Sequence, residues 1–305
     1  MPAQSPPAQL TANLWMLGTL AYPVYLFHDD GEAALFEGSI GAHISLLCKQ
    51  IEEASVRRET IKQLVITHAH PDHVMAVPGL REVLPGLTVA ASAAAAETLA
   101  APKAVAMFVQ LDALLTESLR SSGAVAPDAC SPPAAIEQIP VDRVLQEGDR
   151  ILVGRCGFQV LQTPGHSDCS LSFYEPSQGI LLVSDATGYF VPEDRSWWPC
   201  YFAGYNSYLG SIERLAALDA QLLCLSHNGV VRGPAEIRAY FKDALAATRA
   251  YHARIVRETK AGTPGRRLAE ELGREIYEKA PVLPLEFFQK NCSGLVKQSL
   301  KHEGL

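Results

Sequence analysis

The sequence lacks three features: a run of eighteen apolar residues, a Cys-x-x-Cys pair and a block of basic residues. The first absence predicts that no segment spans a membrane, and the missing Lys and Arg in the first twenty residues argue against a secretory signal. Seven cysteines, an odd number without paired spacing, predict reduced thiols and therefore a cytoplasmic protein. The net charge of -7 and the pI near 5.7 argue against nucleic acid as the main partner, because no basic run matches the phosphate charge.

With 305 residues, of which 48% are hydrophobic, the chain is long enough to bury a large core. Short apolar runs and segments of helical periodicity follow one another, which is typical of an α/β fold. Strands are predicted at 14–17, 24–27, 33–36, 64–66, 87–91, 143–145, 151–153, 157–163, 171–175 and 180–183. Helices are predicted at 40–54, 74–84, from Ser92, 103–121, 234–259, 265–279 and 284–302, with a loop rich in Ser, Pro and Ala at 121–135.

The densest group of polar donors is the stretch His68-Ala69-His70-Pro71-Asp72-His73, placed where a strand is predicted to give way to a helix. His68 and His70 are two residues apart, so in an extended segment they point to the same side and can bind one ion. Asp72 and His73 then face a second ion, and Pro71 stiffens the bend between the two pairs. The alternative, a polar loop that is His-rich by chance, does not explain this spacing. The stretch therefore predicts metal binding.

Three later residues follow predicted turns or strand ends. His166 follows a Pro-Gly turn, Asp185 ends an apolar strand, where a carboxylate is costly unless paired or on a metal, and His227 ends another such strand. Taken singly, each is typical of a satisfied loop residue. Together they complete two sites: His68, His70 and His166 for one ion, Asp72, His73 and His227 for the other, with Asp185 bridging both. Two ions sharing one water generate hydroxide at neutral pH, which predicts a hydrolase with Asp72 as a secondary, proton-accepting catalytic residue.

This order of motifs resembles the metallo-β-lactamase superfamily over most of residues 10–240. The resemblance implies an α/β fold, a four-layer αββα sandwich with the site at one edge of its sheets. It also implies two divalent ions, zinc being expected and iron or manganese the alternatives. Glu37 stands where the superfamily has Asp, so two roles stay open for it: a carboxylate that supports a ligand, or a polar strand end. His70 replaces the Glu of the flavin-diiron oxygen reductases, which argues against that redox branch.

Within the superfamily, the chain resembles the thioesterase-like quinolone signal response proteins, through Leu14-Trp15-Met16-Leu17-Gly18, Gly165-His166-Ser167-Asp168 and Ser211-Ile212-Glu213-Arg214-Leu215. The resemblance implies a thioester or another small acyl compound as substrate. Three alternatives stay open: a lactonase or phosphodiesterase of the same fold, a regulatory protein that binds a partner and has a structural metal site, and a mononuclear iron dioxygenase.

Residues 187–205 are rich in aromatic side chains and follow the bridging Asp185 directly. They are predicted either to wall the substrate pocket or to fill the core beneath it. Tyr189, Trp198 and, from the C-terminal helices, Phe287 are the candidate substrate contacts. The predicted domains are a catalytic domain at 1–233 and a helical extension at 234–305. The extension forms either a cap over the site or a surface for homodimers.

Overall fold

The computed structural model describes residues 5–125, 136–279, 281 and 283–305. Its strands are β1 (Ala8–Gln9), β2 (Leu14–Gly18), β3 (Pro23–Asp29), β4 (Glu32–Phe36), β5 (Ile61–Val65), β6 (Thr88–Ser92), β7 (Arg143–Leu145), β8 (Arg150–Val153), β9 (Cys156–Gln162), β10 (Leu171–Glu175), β11 (Ile180–Leu182), β12 (Tyr189–Val191), β13 (Ser196–Trp198), β14 (Leu222–Cys224) and β15 (Val230–Arg232). Its helices are α1 (Ile44–Glu53), α2 (Val77–Val83), α3 (Ala93–Leu99), α4 (Pro102–Ser121), α5 (Tyr205–Ala216), α6 (Pro234–Lys260), α7 (Gly265–Lys279) and α8 (Leu285–Glu303).

Two sheets pack face to face between helical layers. The first sheet has the order β1-β2-β3-β4-β5-β6-β7 and the second β15-β14-β11-β10-β9-β8. Side chains alternate across each strand, so Tyr25 and Phe27 of β3 lie between the sheets while Leu26 packs outward among side chains of α1, α2 and α3. Leu181 of β11 likewise packs outward among α5 to α8. The predicted four-layer α/β sandwich with a C-terminal helical region is confirmed.

Strand direction places the ends of three strands at one edge of the sandwich. β4 to β7 run parallel to one another in the first sheet, and β11 runs parallel to β14 in the second. His68 lies just beyond the carboxyl end of β5, Asp185 beyond that of β11 and His227 beyond that of β14. Because parallel strands end at the same edge, Asp185 and His227 become neighbours although forty-two positions separate them.

The C-terminal helices share an apolar core with the second sheet. Leu181 and Leu223 of the sheet belong to the same buried cluster as Ile237 of α6 and Leu295 of α8. Leu283, between α7 and α8, packs against this cluster and also against the one around Tyr22, so it bridges two sides of the molecule. The boundary at residue 233 and the proposed dimer surface stay predictions.

Most predicted elements agree with the structure to within a few residues, but several differ. The helix expected from Val74 begins at Val77, because the chain first makes a single 3-10 turn at Pro71–His73 and the Ala76 amide bonds to the carbonyl groups of Gly38 and Ser39. The strands β1 and β15, the β12–β13 hairpin and α5 were not predicted. Of the predicted loop at 121–135, Ser121 still belongs to α4 and residues 126–135 lie outside the described residues.

Among the described helices, none is by itself long and apolar enough to cross a membrane. The pair α3 and α4, bent by 79° at their break, meets that criterion together on length and composition only.

Candidate metal centre

Four side chains converge beyond the carboxyl end of β5. The Nδ1 atom of His70 lies 3.0 Å from Nε2 of His68 and 2.9 Å from Nε2 of His166. The Asp185 Oδ2 atom is 3.3 Å from the His166 nitrogen and 3.9 Å from that of His68. Donors bound tetrahedrally to one zinc ion lie about 3.3 Å apart, given bond lengths near 2.0–2.1 Å. The four atoms therefore have the spacing of a single ion's ligands.

A second group of donors lies on the other side of Asp185. The Asp72 Oδ2 atom is 3.4 Å from Nε2 of His73 and 3.7 Å from Nε2 of His227. Asp185 reaches this group through both oxygens, since Oδ2 is 3.8 Å from the His73 nitrogen and Oδ1 is 3.4 Å from that of His227. The structure thus brings all seven predicted residues together, with Asp185 between the two groups. They are called the His/Asp cluster below: His68, His70, Asp72, His73, His166, Asp185 and His227.

In four of the five imidazoles, the ring nitrogen that faces away from the cluster makes a hydrogen bond that fixes the orientation of the ring. His166 Nδ1 lies 3.0 Å from the Cys200 carbonyl oxygen, and His227 Nδ1 lies 2.6 Å from that of Ala21. Since a carbonyl only accepts, each Nδ1 carries the proton and each Nε2 keeps its lone pair for the cluster. The structure thereby fixes the tautomer that a metal requires.

The other two supported histidines rest on side chains. His68 Nδ1 lies 3.0 Å from the Ser184 hydroxyl, and His73 Nδ1 lies 2.8 Å from Oε2 of Glu37. The Thr67 hydroxyl donates to the same Glu37 oxygen at 3.0 Å. Of the two roles left open for Glu37, the structure therefore shows a carboxylate that orients His73.

The two donor groups differ in charge. The imidazoles of His68 and His70 are kept neutral, whereas carboxylates surround His73 in the second group. Burial, reinforced by His166, lowers the pKa of His70 to about 3, so its ring is neutral at pH 7. Burial also lowers the pKa of His68. His73 behaves oppositely: burial lowers its pKa, but Asp72, Glu37 and Asp185 outweigh that effect and raise it. The second group therefore stabilises positive charge.

Two observations test whether a cation fits. His73 Nε2 is buried and has no hydrogen-bond partner, although it points among carboxylate and imidazole donors. His70 Nδ1 lies within 3.0 Å of two other ring nitrogens, although a ring nitrogen has either one lone pair or one proton and can make only one such hydrogen bond. A cation satisfies both arrangements at once. Imidazole and carboxylate donors suit divalent transition metals, so the cluster implies divalent ions.

The backbone around the cluster is strained. Glu37, Ser184 and Asn228 have φ angles of 80°, 50° and 62°, in the left-handed region that residues other than glycine seldom adopt. Each is adjacent to a ligand or supports one: Glu37 contacts His73, Ser184 contacts His68, and Asn228 follows His227. Strain of this kind is concentrated at functional sites, where surrounding contacts maintain it.

Of the candidate substrate contacts, Tyr189 lies nearest to the His/Asp cluster, with its ring centroid 5.3 Å from that of His227. Trp198 is one aromatic ring further away, because it packs on Phe202, whose centroid is 5.4 Å from that of His166. Phe287 packs on Phe288, which in turn packs on Trp198. A continuous aromatic chain therefore runs from His166 to α8. All three substrate contacts stay predictions.

Sequence reasoning missed Tyr22, and it included Phe202 only as one of the aromatic residues of segment 187–205. The ring of Tyr22 lies edge-on to His227 at 5.8 Å, and burial together with Asp72 raises its pKa. Among the described residues its hydroxyl has no hydrogen-bond partner. The one signal available for Phe202 was its place in the aromatic segment after Asp185; for Tyr22 there was none, since it precedes the first ligand by forty-six residues.

Comparison with known proteins agrees with this geometry. A family model described as the metallo-beta-lactamase superfamily matches residues 17–227. The hydroxyacylglutathione hydrolase of Fuscovulum blasticum is 24% identical over 269 residues, covering 85% of this chain and 83% of that protein. The enzyme of that name from Cereibacter sphaeroides is 27% identical over 213 residues, or 67% of this chain, which spans 61% of that protein's length.

Among solved structures, a metallo-beta-lactamase family protein from Thermus thermophilus matches with a TM-score of 0.62 at 22% identity, covering 97% of this chain and 95% of that one. At this identity the similarity shows a shared fold. The family match spans all seven residues of the His/Asp cluster, and it shows that the chain belongs to the metallo-beta-lactamase superfamily, whose members are generally metal-dependent hydrolases.

Proposed function

We propose that the protein is a dinuclear metal hydrolase that cleaves a thioester or another small acyl compound. In this proposal His68, His70 and His166 hold one ion, Asp72, His73 and His227 hold the other, and Asp185 bridges them, with zinc as the expected metal. The single observation that carries it is the Asp185 carboxylate, whose oxygens lie 3.3–3.9 Å from ring nitrogens of both donor groups. A carboxylate shared in this way positions two ions close enough to act on one substrate.

When bound, two divalent ions activate water at neutral pH and polarise an acyl carbonyl. The residues of the chain supply the rest. Burial raises the pKa of Asp72, but His73 and His227 outweigh it and hold the pKa below its ordinary value, so the carboxylate is ionised at pH 7. Asp72 is therefore first a ligand, and accepting a proton is its secondary role. The Ser226 hydroxyl donates to Asp185 Oδ1 and fixes the plane of the bridging carboxylate.

Substrate binding falls to the aromatic rings around the cluster. Tyr189 and Tyr22 stand beside His227, and Phe202 stands beside His166, so an acyl group would lie between apolar ring faces with two phenol hydroxyls near its oxygen atoms. Phenol groups donate hydrogen bonds, which suits the carbonyl oxygen of an acyl substrate.

Thioester chemistry is supported by the relatives. Two are named hydroxyacylglutathione hydrolases, and an acylated glutathione is a thioester. The predicted resemblance to quinolone signal response proteins, through the motif that carries His166, implies the same bond and stays a prediction. The six cysteines within the described residues are free thiols, which supports a reducing compartment such as the cytoplasm.

The decisive experiment is a hydrolysis screen on protein whose zinc, iron and manganese content has been measured. Acyl-glutathione, acyl-coenzyme A, lactone and phosphodiester substrates are compared for the parent chain, for Asp72→Ala and for Asp243→Ala. Asp243 is an exposed residue of α6 paired with Arg195, so its loss should change activity little. We expect at least two ions per chain and thioester cleavage in the parent and the control, and loss of one ion and of cleavage in Asp72→Ala.

Cleavage of phosphodiesters alone would overturn the acyl assignment. Full activity in a folded Asp72→Ala variant with unchanged metal content would overturn the dinuclear site. Circular dichroism of each variant separates loss of a ligand from loss of the fold.

A further inference from the structure

A second group of histidines lies outside the His/Asp cluster, where the end of α8 meets α6. His252 is on α6, and His302 and Glu303 form the last turn of α8. The His252 Nε2 atom is 3.2 Å from Oε1 of Glu303, and Nε2 of His302 is 4.0 Å from the same oxygen. One donor atom from each of the three residues lies within 4.8 Å of the others. Two imidazoles and a carboxylate thus converge on a second, separate point.

The three side chains differ in exposure, as the ligands of a surface metal site do. His252 is 9% exposed, and its ring stacks on that of Tyr205 with centroids 4.0 Å apart and planes 17° from parallel. Its Nδ1 atom is buried without a hydrogen-bond partner, so Nε2 makes its one polar contact among the described residues. The side chains of His302 and Glu303 are 33% and 31% exposed, which leaves the outer side open to an ion and its waters.

We propose that His252, His302 and Glu303 bind a divalent transition metal, with zinc as the test ion, at a site independent of the His/Asp cluster. Two imidazoles, one carboxylate and a water make a four-coordinate zinc site. Ligands of such a site lie about 3.3 Å apart, so the 4.0 Å distance must shorten by less than an ångström. Rotation of the His302 and Glu303 side chains can make this shift, because both are partly exposed at the end of α8.

A hydrogen bond from His252 to Glu303 alone would leave the position of His302 unexplained. The rings of His302 and His252 have centroids 5.2 Å apart, and His302 also lies against Tyr205 at 5.0 Å. Arg249, three residues before His252 on α6, is paired with Glu213 at 2.8 Å, which offsets its repulsion of an incoming ion. A bound ion gives both exposed side chains of α8 a shared partner.

A metal at this site would influence the segment that supports His166, because α8 contacts that segment. Ser299 of α8 lies 2.9 Å from the Tyr201 hydroxyl, and the Gln298 amide donates to the Phe202 carbonyl at 2.9 Å. Cys200, the residue before Tyr201, supplies the carbonyl oxygen that accepts the hydrogen bond from His166. An ion that fastens the end of α8 to α6 therefore stiffens the segment behind one ligand of the His/Asp cluster.

The experiment measures zinc bound per chain by equilibrium dialysis for the parent, for His302→Gln and for His28→Gln. His302 is partly exposed at a helix end, so its replacement should leave the fold intact, and His28 is a matched histidine of β3 that lies in neither cluster. We expect His302→Gln to bind one ion fewer than the parent and His28→Gln to bind the same number. We also expect zinc to slow hydrogen exchange of the last amides of α8 in the parent and in His28→Gln, but not in His302→Gln.

The difference between the parent and His302→Gln is the measure, and it does not depend on how many ions the His/Asp cluster binds. Equal zinc content in these two proteins would overturn the proposed site. So would a rate of hydrogen exchange at the end of α8 that zinc does not change in the parent. Fewer than two ions remaining in His302→Gln, with the difference of one preserved, would count against the dinuclear hydrolase and leave this site standing.

Discussion

Replacing Glu37 by Gln tests whether a buried carboxylate that touches no metal controls the second ion. Glu37 accepts a hydrogen bond from His73 Nδ1 at 2.8 Å and from the Thr67 hydroxyl at 3.0 Å. Gln keeps the length of the side chain, can place an amide oxygen at the same point and meets the same backbone φ of 80°. The substitution therefore removes the negative charge with little change in shape.

The expected magnitude follows from that contact. Hydrogen bonds to a charged acceptor contribute about 1.5–3 kcal/mol, against about 0.5–1.5 kcal/mol for neutral partners. Losing the charge should weaken the ion held by His73 by about 1–2 kcal/mol, or roughly tenfold, at the lower end of the 10–100-fold range for residues that orient a ligand. The ion held by His68 should change little, because that ring rests on Ser184.

The assay is zinc competition against a chromophoric chelator, which resolves the two binding steps. Glu175→Gln is the matched control, since Glu175 is also a buried carboxylate but accepts hydrogen bonds from a turn at Ser177 and Gln178. In Asp72→Ala, where the second ion is already lost, Glu37→Gln should add almost nothing. Parent affinities for both ions in Glu37→Gln, or an equal loss with and without Asp72, would refute the reasoning.

Two further predictions concern residues beside the cluster. Tyr189→Phe should lower kcat/KM for a thioester up to about tenfold, the worth of one hydrogen bond, while metal content stays at the parent value; a loss of metal would mean that the phenol supports a ligand instead. Burial raises the pKa of Asp112 on α4 to about 6, above its ordinary value of 3.8, so the folded chain retains this proton while the unfolded chain releases it as the pH rises from about 4 to 6. Its contribution to stability therefore falls across that window by about 3 kcal/mol. The test is to measure the free energy of unfolding of the parent and of Asp112→Asn at pH 4 and at pH 7. Between these two pH values, the difference between the two proteins should change by about that amount in favour of the variant. A difference independent of pH would show that Asp112 has the same pKa in both states.

The ligands were predictable from the sequence because each carries a local signal. His68 to His73 are adjacent, and Asp185 and His227 end apolar strands where a polar side chain is costly. The α/β class followed from the succession of strand and helix patterns, whereas the four-layer sandwich was implied by the resemblance to the metallo-β-lactamase superfamily, and the structure confirms both. Features that local patterns encode could therefore be predicted.

The supporting contacts were not predictable, because they join distant parts of the chain. Ser184 reaches His68 across 116 positions, and the Ala21 carbonyl holds His227 across 206. No periodicity relates such pairs; the docking of one sheet on the other creates them. The β12–β13 hairpin was not predicted for a different reason: it lies in the aromatic-rich segment 187–205, whose composition predicted a pocket wall or a core filling and carried no strand signal.

The split of the ligands between two halves of the chain has a consequence for biosynthesis. His68 to His73 follow β5 of the first sheet and leave the ribosome early, whereas His166, Asp185 and His227 follow strands of the second sheet and emerge late. Until the second sheet has formed, a nascent chain offers only the four donors of His68 to His73, so the complete site can exist only in molecules whose two sheets have docked. Metal binding would then be the last step: it favours the folded form by mass action, and the growing polypeptide does not bind metal through an incomplete set of ligands.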